Sequence, residues 1–340
     1  MEPQQETRNA HPLTFDEIGI PTGPRLEEGA LGKKRPLKDL KKEEIAFAVI
    51  SVVNSLVEIV LAIQRLATTS KGDPAFTFAL IIIINAFFCV YYVLHGILAE
   101  RPYEVFVMVL ATSAILISII VNYILTTKND VKLARLIVAC ILSPVIIVMG
   151  IIIAKEYYGS SRLIFRTIGA NSNLQGFCKT LFLFFGLQKF DLQLNITMVL
   201  LILQSGTKVD TKDLVILSLG LPVTVISFAL GYLSVRWEDK KLGIAYAISL
   251  LLAPAYIIFK VYESADELGK TSGVHQQNIT TVVQPTHFIP LSGTTAFCAA
   301  VTLIIHVIMG VYFYKAVQNF GKGLKVKLYG GAGESTPPQG

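Results

Sequence analysis

Charge is what this sequence has least of: 16% of its 340 residues are Asp, Glu, Lys or Arg, where a soluble domain carries about 25%. So thin a supply cannot coat a water-facing surface, and no set of amphipathic helices is present to cover a large core. An ordinary soluble fold is excluded. Cysteine is scarce too. Cys89, Cys140, Cys178 and Cys298 are the four; none forms a Cys-x-x-Cys pair, and all lie inside or at the ends of apolar runs. They imply no disulfide framework and read as small buried hydrophobes. A phosphate-cradling glycine loop, a Gly-x-Ser-x-Gly elbow and a His-Glu-x-x-His helix are all missing, so neither an enzyme nor a bound cofactor is expected. His275 and His287, near Asp266 and Glu267, match no familiar ligand spacing. They read as solvated loop residues, and no metal site is expected.

What is present is apolar length. Hydrophobic residues make up 53% of the chain, mean hydropathy is +0.58, and the runs 76–93 and 105–121 contain no charged residue. A helix needs about 20 residues to cross the hydrocarbon of a bilayer, and it satisfies its own backbone hydrogen bonds there. The expected fold is an all-α integral membrane protein, a bundle of about eight transmembrane helices. The spans fall at roughly 45–66, 76–99, 104–126, 134–154, 178–205, 213–235, 241–262 and 292–316. Residues 1–43 hold five prolines and scattered charges and are expected to be a disordered tail with a basic end. Residues 44–318 form the membrane domain, and 319–340 a polar tail. No cleavable signal is visible; the first span is expected to serve as an uncleaved signal-anchor.

Orientation follows from the basic residues near span ends. With the amino terminus inside, 18 Lys and Arg residues fall on the cytoplasmic side and nine on the other. The basic loop from Lys128 to Arg135 runs against this bias. Asn278-Ile279-Thr280 is a glycosylation acceptor in the longest external loop of this topology, whereas Asn195-Ile196-Thr197 falls inside a span. Both termini are expected in the cytoplasm, and the membrane is either the plasma membrane or one of the secretory pathway. The net charge of +6 is accounted for by these flanking residues. No basic stripe interleaved with aromatics exists, so nucleic acid is not an expected partner; the lipid bilayer is, and an ion or small solute is the candidate ligand.

Ionisable groups inside a span cost about 2.5–3.5 kcal/mol each on insertion scales and are functional candidates by default. The fifth span is the unusual one. At about 100° per residue, Gln188, Asp191 and Asn195 form one stripe, and Lys189 and Gln193 a second, well round the helix. A helix polar on two sides belongs at the centre of the bundle. His306 in the last span lies near the depth of Asp191 and Lys189, and Glu58 in the first span is within reach of the Lys189 stem if those helices touch. Glu58, Lys189, Asp191, Asn195 and His306 are therefore the intramembrane candidates. Asn54, Asn85 and Asn122 read as interhelical hydrogen-bonding groups. Pro144, Pro222 and Pro254 lie within spans, where each frees a carbonyl four residues earlier. Ala245, Ser249 and Ala253 form a small-residue ridge for close packing. Arg162-Leu163-Ile164-Phe165-Arg166, in the basic inner loop, suits a short helix on an anionic leaflet.

The stretch from Phe165-Arg166-Thr167-Ile168-Gly169 to Gln188-Lys189-Phe190-Asp191-Leu192-Gln193-Leu194 resembles a motif of an uncharacterised multi-pass eukaryotic transmembrane family. The resemblance implies a polytopic membrane protein and transfers no activity or site residue. From the residues themselves, the expected function is a transporter or channel-like protein with the fifth span lining the route. The rivals are a receptor-like signalling protein, in which the buried charges lock one of two helix packings, and a membrane scaffold.

Overall fold

The computed structural model describes residues 27–29, 32–70, 74–125, 130–169, 171–201, 211–252, 254–259, 262 and 288–329. Asn278, His275 and His287 lie outside them, as do most of the amino-terminal tail and residues 330–340. A short hairpin, β1 (Glu27–Gly29) with β2 (Gly32–Lys34), precedes the helices. These are α1 (Lys42–Thr68), α2 (Pro74–Leu98), α3 (Pro102–Leu125), α4 (Asp130–Ser160), α5 (Arg162–Ile168), α6 (Ser172–Leu200), α7 (Thr211–Trp237), α8 (Lys240–Ser249), α9 (Phe288–Val317) and α10 (Leu324–Tyr329).

Local chemistry sets many of these boundaries. Pro74 and Pro102 open α2 and α3, where a residue with no N–H and a fixed φ is at home. Asn171 caps α6 by accepting from the Leu174 N–H at 3.2 Å, and Asp239 caps α8 by accepting from the Lys241 N–H at 2.8 Å. Two tight helix-to-helix turns close in the same way. The Arg101 N–H donates to the Gly96 carbonyl at 2.8 Å, and the Asp239 N–H to the Ser234 carbonyl at 3.0 Å. Each turn has a glutamate in the left-handed region just before its donor, Glu100 at φ 44° and Glu238 at φ 55°.

Among the described residues, seven helical stretches are long and apolar enough to cross a membrane: Lys42–Thr68, Phe76–Leu98, Pro102–Val121, Lys132–Ile168, Ser218–Trp237, Lys240–Phe259 and Cys298–Val317. Their outward faces are greasy. Val49, Val53, Leu56, Val60 and Ile63 make a seam along α1, each at least half exposed. Burying one such side chain is worth about 1.5–3 kcal/mol, so a seam of five is a surface suited to lipid rather than to water. The chain is built as a multi-pass membrane protein. Helix α6 is absent from the seven because its polar residues lower its hydropathy. It is instead encased: seventeen of its 29 residues are buried.

The helices form two rings with the same neighbour order. Helix α1 packs on α2, α2 on α3, α3 on α4, and α4 back on α1; likewise α6 on α7, α7 on α8, α8 on α9, and α9 back on α6. The first ring has a core of Phe47, Tyr92, Met108, Ile146 and Tyr157. The second centres on Phe184, Tyr246 and Phe313. Helix α6 joins the rings through contacts with α2 and α3. A short helix follows each ring, α5 after the first and α10 after the second, and these two touch. No repeat is visible in the sequence; the repeat is one of connectivity.

The end of the amino-terminal tail differs from expectation, because it has a definite place under the first ring. The Arg35 N–H donates to the Leu98 carbonyl at 2.8 Å, and its guanidinium is 4% exposed. That group meets Glu100 at 3.0 Å, Glu44 at 3.3 Å, the Tyr157 hydroxyl at 3.0 Å and the Ile97 carbonyl at 2.7 Å. Burial works against the Arg35 charge, but Tyr157, Glu100 and Glu44 outweigh it and hold its pKa above the ordinary value. One arginine thus ties the tail to α1, the α2–α3 turn and α4. Arg35→Ala strands Glu44 and Glu100, and removing one partner of a buried pair costs about 3–5 kcal/mol. The expected result is a lower melting temperature in detergent and faster trypsin cleavage after Lys38 and Lys41. If both stay at wild-type values, the tie has no energetic weight.

Residues 319–329, read as the start of a polar tail, also fold onto the bundle. Leu324 and Leu328 of α10 are buried in the second core, the Gly321 N–H donates to Glu238 Oε2 at 2.8 Å, and Lys327 Nζ donates to the Ile168 carbonyl at 3.1 Å.

Candidate functional site

Both stripes of α6 meet partners, and the partners differ. On one side, Asp191 Oδ1 lies 3.1 Å from His306 Nδ1 of α9. Asp191 Oδ2 accepts from Asn195 Nδ2 at 2.9 Å, and the same Nδ2 donates to the Asp191 carbonyl at 2.8 Å. His306 Nε2 lies 2.7 Å from the Leu250 carbonyl. That carbonyl is available because of Pro254, which stands four residues later and has no N–H to offer it. The proline thus produces an acceptor inside the bundle, and His306 uses it.

Counting protons here is informative. A carbonyl only accepts, so Nε2 of His306 carries a hydrogen. The Nδ1···Oδ1 contact then needs one proton of its own, on the imidazole or on the carboxyl, or two lone pairs would face each other. Asp191 and His306 together hold one shared proton and no net charge.

This pair sits on the wall of an open-sided cavity of about 370 Å³ bordered by α6, α7, α9 and the stretch Lys240–Phe259. Gln188, Asp191 and Asn195 line it from α6, Thr224 and Ser227 from α7, and His306 from α9. Much of the remaining wall is apolar or aromatic, including Phe228, Tyr246 and Tyr256. Near Gln188 the cavity ends against packed rings: Tyr246 stands edge-on to Phe313 at 4.7 Å and to Phe184 at 6.2 Å. Gly231 permits that closure. A Cβ there would overlap Gln188 Nε2 and come within 2.7 Å of the Tyr246 ring. Leu219, Val223 and Leu252 also line the cavity and are exposed at 61%, 44% and 56%, so its rim is apolar.

The second α6 stripe faces the first ring. Lys189 Nζ donates to Glu104 Oε1 of α3 at 2.5 Å, and Glu104 Oε2 lies 2.5 Å from His95 Nδ1 of α2. Lys189 also lies 5.2 Å above the Tyr91 ring. All three ionisable residues are at most 6% exposed. One turn on, Gln193 Nε2 donates to Asn85 Oδ1 at 2.5 Å, and Asn85 Nδ2 donates to Thr197 Oγ1 at 3.3 Å. These contacts weld α6 to the first ring.

The expectation that Glu58 reaches Lys189 is corrected. Glu58 of α1 pairs with Arg135 of α4, and both are buried. Arg135, counted as an external loop charge, is therefore matched inside the first ring, which removes part of the conflict with the charge bias. Sequence reasoning also missed Glu104 and Arg35. Glu104 stands in the first turn of an apolar span and His95 in the last turn of another, positions that read as interfacial. Asn54 is half-buried on α1. Among the described residues no group of three His, Cys, Asp or Glu is placed to hold a metal, and the four cysteines are free thiols.

Comparison with known families decides the kinship. The model of a family described as a domain of unknown function (DUF7789) matches residues 31–155 and 168–315. The chain belongs to that family. The two matched segments divide at α5, so each contains one four-helix ring. No curated protein and no solved structure matches the chain. Membership of the DUF7789 family carries no activity with it, and function has to be argued from the site.

Proposed function

We propose that this member of the DUF7789 family is a proton-linked transporter of a small solute, with α6 as an eighth crossing at the centre of the bundle. The single observation that carries the reading is the Asp191–His306 pair, which shares one proton on the wall of a cavity inside the second ring. Two neighbouring charges in an apolar site resist separation, because each would be left uncompensated in a low dielectric. Once the proton sits on Asp191, both groups are neutral and α9 can part from α6 at far smaller cost. Proton position and helix packing are thereby coupled, and a bistable contact of this kind links an ion to a conformational change. Tandem four-helix rings of like connectivity suit such a machine, since many transporters are built from two repeats with the binding site near the midplane.

Orientation in this reading follows the basic residues. Both termini are cytoplasmic, the aromatic seal near Gln188 lies toward the cytoplasm, and Asn278 is external and a site for glycan.

The test uses the full chain in vesicles that contain a pH-sensitive dye. A small-molecule fraction of cell extract is supplied outside. Wild-type protein is expected to give solute-evoked proton movement, and His306→Gln to reduce it to the level of protein-free vesicles. Wild-type vesicles that show no such movement, with folded protein verified, would overturn the transport reading.

A further inference from the structure

We propose that the cavity takes a protonated amine with an apolar body, and that the bound ammonium replaces the proton shared by Asp191 and His306. This assignment deepens the transport reading and uses its site. Its first support is the bonding inventory of the wall. Asn195 Nδ2 spends its hydrogens on the Asp191 carbonyl and Oδ2, and Gln188 Nε2 donates to the Phe228 carbonyl at 2.9 Å. The hydroxyls of Ser227 and Ser249 lie 2.9 Å apart, and Ser249 donates onward to the Tyr246 carbonyl at 2.7 Å. Thr224 donates to the Gly220 carbonyl at 2.8 Å, and the Tyr246 hydroxyl to Met309 Sδ at 3.3 Å. These donors are thus turned into the protein.

Acceptors are not. Gln188 is 3% exposed, and its Oε1 has no partner among the described residues. A buried acceptor left unsatisfied costs about 1–3 kcal/mol, so the site is missing a donor. The Asp191 carboxylate makes one contact at each oxygen, whereas a carboxylate offers about four lone-pair positions. The unsatisfied Gln188 oxygen and the open lone-pair positions of Asp191 select a ligand that brings N–H groups. Phe228, Tyr246 and Tyr256 give the ligand apolar surface and aromatic faces, against which a cation is favourably placed. The apolar rim of Leu219, Val223 and Leu252 suits an amphiphile. A volume of about 370 Å³ falls within the range of about 300–1,000 Å³ common for small-molecule sites.

Charge balance supplies the exchange. The pair is neutral with one proton. An ammonium group that donates to Asp191 does what the His306 N–H did, and its charge repels an imidazolium. The proton on Nδ1 leaves to water, His306 remains neutral with hydrogen on Nε2, and one positive charge has replaced another. Other ionisable groups nearby do not alter this count. Tyr246 and Tyr256 face the cavity from Lys240–Phe259, none of the lining residues of α7 is ionisable, and Lys189 on the far face of α6 is matched by Glu104.

The experiment is titration calorimetry on the purified full chain in detergent, in two buffers with different heats of ionisation. The probes are 2-phenylethylammonium, its N,N,N-trimethyl derivative, which is a cation without N–H, and 2-phenylethanol, which is neutral. The ammonium ion is expected to bind with release of about one proton, and to bind about tenfold more tightly for each pH unit gained while the pair is protonated. The trimethyl cation should bind about 10–100-fold more weakly, as the loss of hydrogen bonds to a charged group requires, and the alcohol should release no proton. Gln188→Leu should weaken ammonium binding about tenfold while proton release persists. Equal affinity for all three probes, ammonium binding without proton release, or no ammonium binding would each overturn the assignment. Because the probe series uses wild-type protein, it does not depend on a variant folding. Solute-evoked proton movement without ammonium binding sinks the ligand class alone. Binding with proton release but no movement in vesicles sinks transport alone.

Discussion

Asp191→Asn is expected to leave the yield of folded protein close to that of the wild type and to abolish solute-evoked proton movement. The geometry explains both halves. An asparagine carboxamide at 191 can accept from Asn195 Nδ2 through its oxygen and donate to His306 Nδ1 through its nitrogen. His306 keeps its hydrogen on Nε2 for the Leu250 carbonyl. Hydrogen bonding is conserved at every atom now engaged by Asp191, so the change in stability should stay within about 1 kcal/mol. The variant copies the state in which the proton sits on the carboxyl, but that hydrogen can never leave. Proton coupling therefore disappears while the packing of α6 against α9 persists. The readout is proton movement per folded molecule, set beside detergent-stable yield. Movement that survives unchanged in folded Asp191→Asn protein would remove this carboxylate from the mechanism and return α6 to a structural part.

Much of this arrangement is legible in the amino-acid sequence. The 3.6-residue period alone separates Gln188, Asp191 and Asn195 from Lys189 and Gln193, and the two stripes do face the cavity and the first ring respectively. Depth puts His306 level with both Asp191 and Lys189; the choice of Asp191 comes from the lateral packing of α9 on α6. Pro254 is visible as a source of a free carbonyl, but its user is not, because one sequence carries no angular order for the helices around α6. The Glu58 partner fails for a related reason. Depth along the membrane normal constrains reach but says nothing of lateral contact between α1 and α6, and α4 supplies the partner instead.

Depth itself misleads at Lys189. Side chains on a helix tilt toward its amino-terminal end, so a long lysine stem carries its charge back along α6. A Cβ at Gly186 would lie 3.2 Å from Tyr103 Cβ, which puts the start of α3 level with the turn before Lys189. Glu104 is the acid found there. The hydropathy of α6 is ambiguous for a physical reason as well. A helix wholly surrounded by protein is not required to be apolar, so the composition that identifies the other spans says nothing about this one.

The charge at Lys189 should behave in the opposite way to that at Asp191. Lys189→Met leaves Glu104, 2% exposed, with His95 as its nearest partner. An uncompensated buried charge costs about 3–5 kcal/mol, which lowers a melting transition by on the order of 10 °C in a chain of this size. Glu104→Gln strands the lysine instead and should destabilise comparably. Combining the two substitutions removes both charges. A neutral pair of similar volume in place of a buried ion pair is often close to neutral in stability, so the double variant should recover at least half of the loss. Thermal denaturation of the four proteins in detergent measures the coupling, and vesicle assays of the double variant separate structure from mechanism. Wild-type proton movement per folded double-variant molecule is the expected result, since neither residue touches the cavity. A double variant no more stable than Lys189→Met would show that the two charges do not depend on each other. A stable double variant without proton movement would place Lys189 and Glu104 on the proton route, and the division of α6 into a working face and a supporting face would fall.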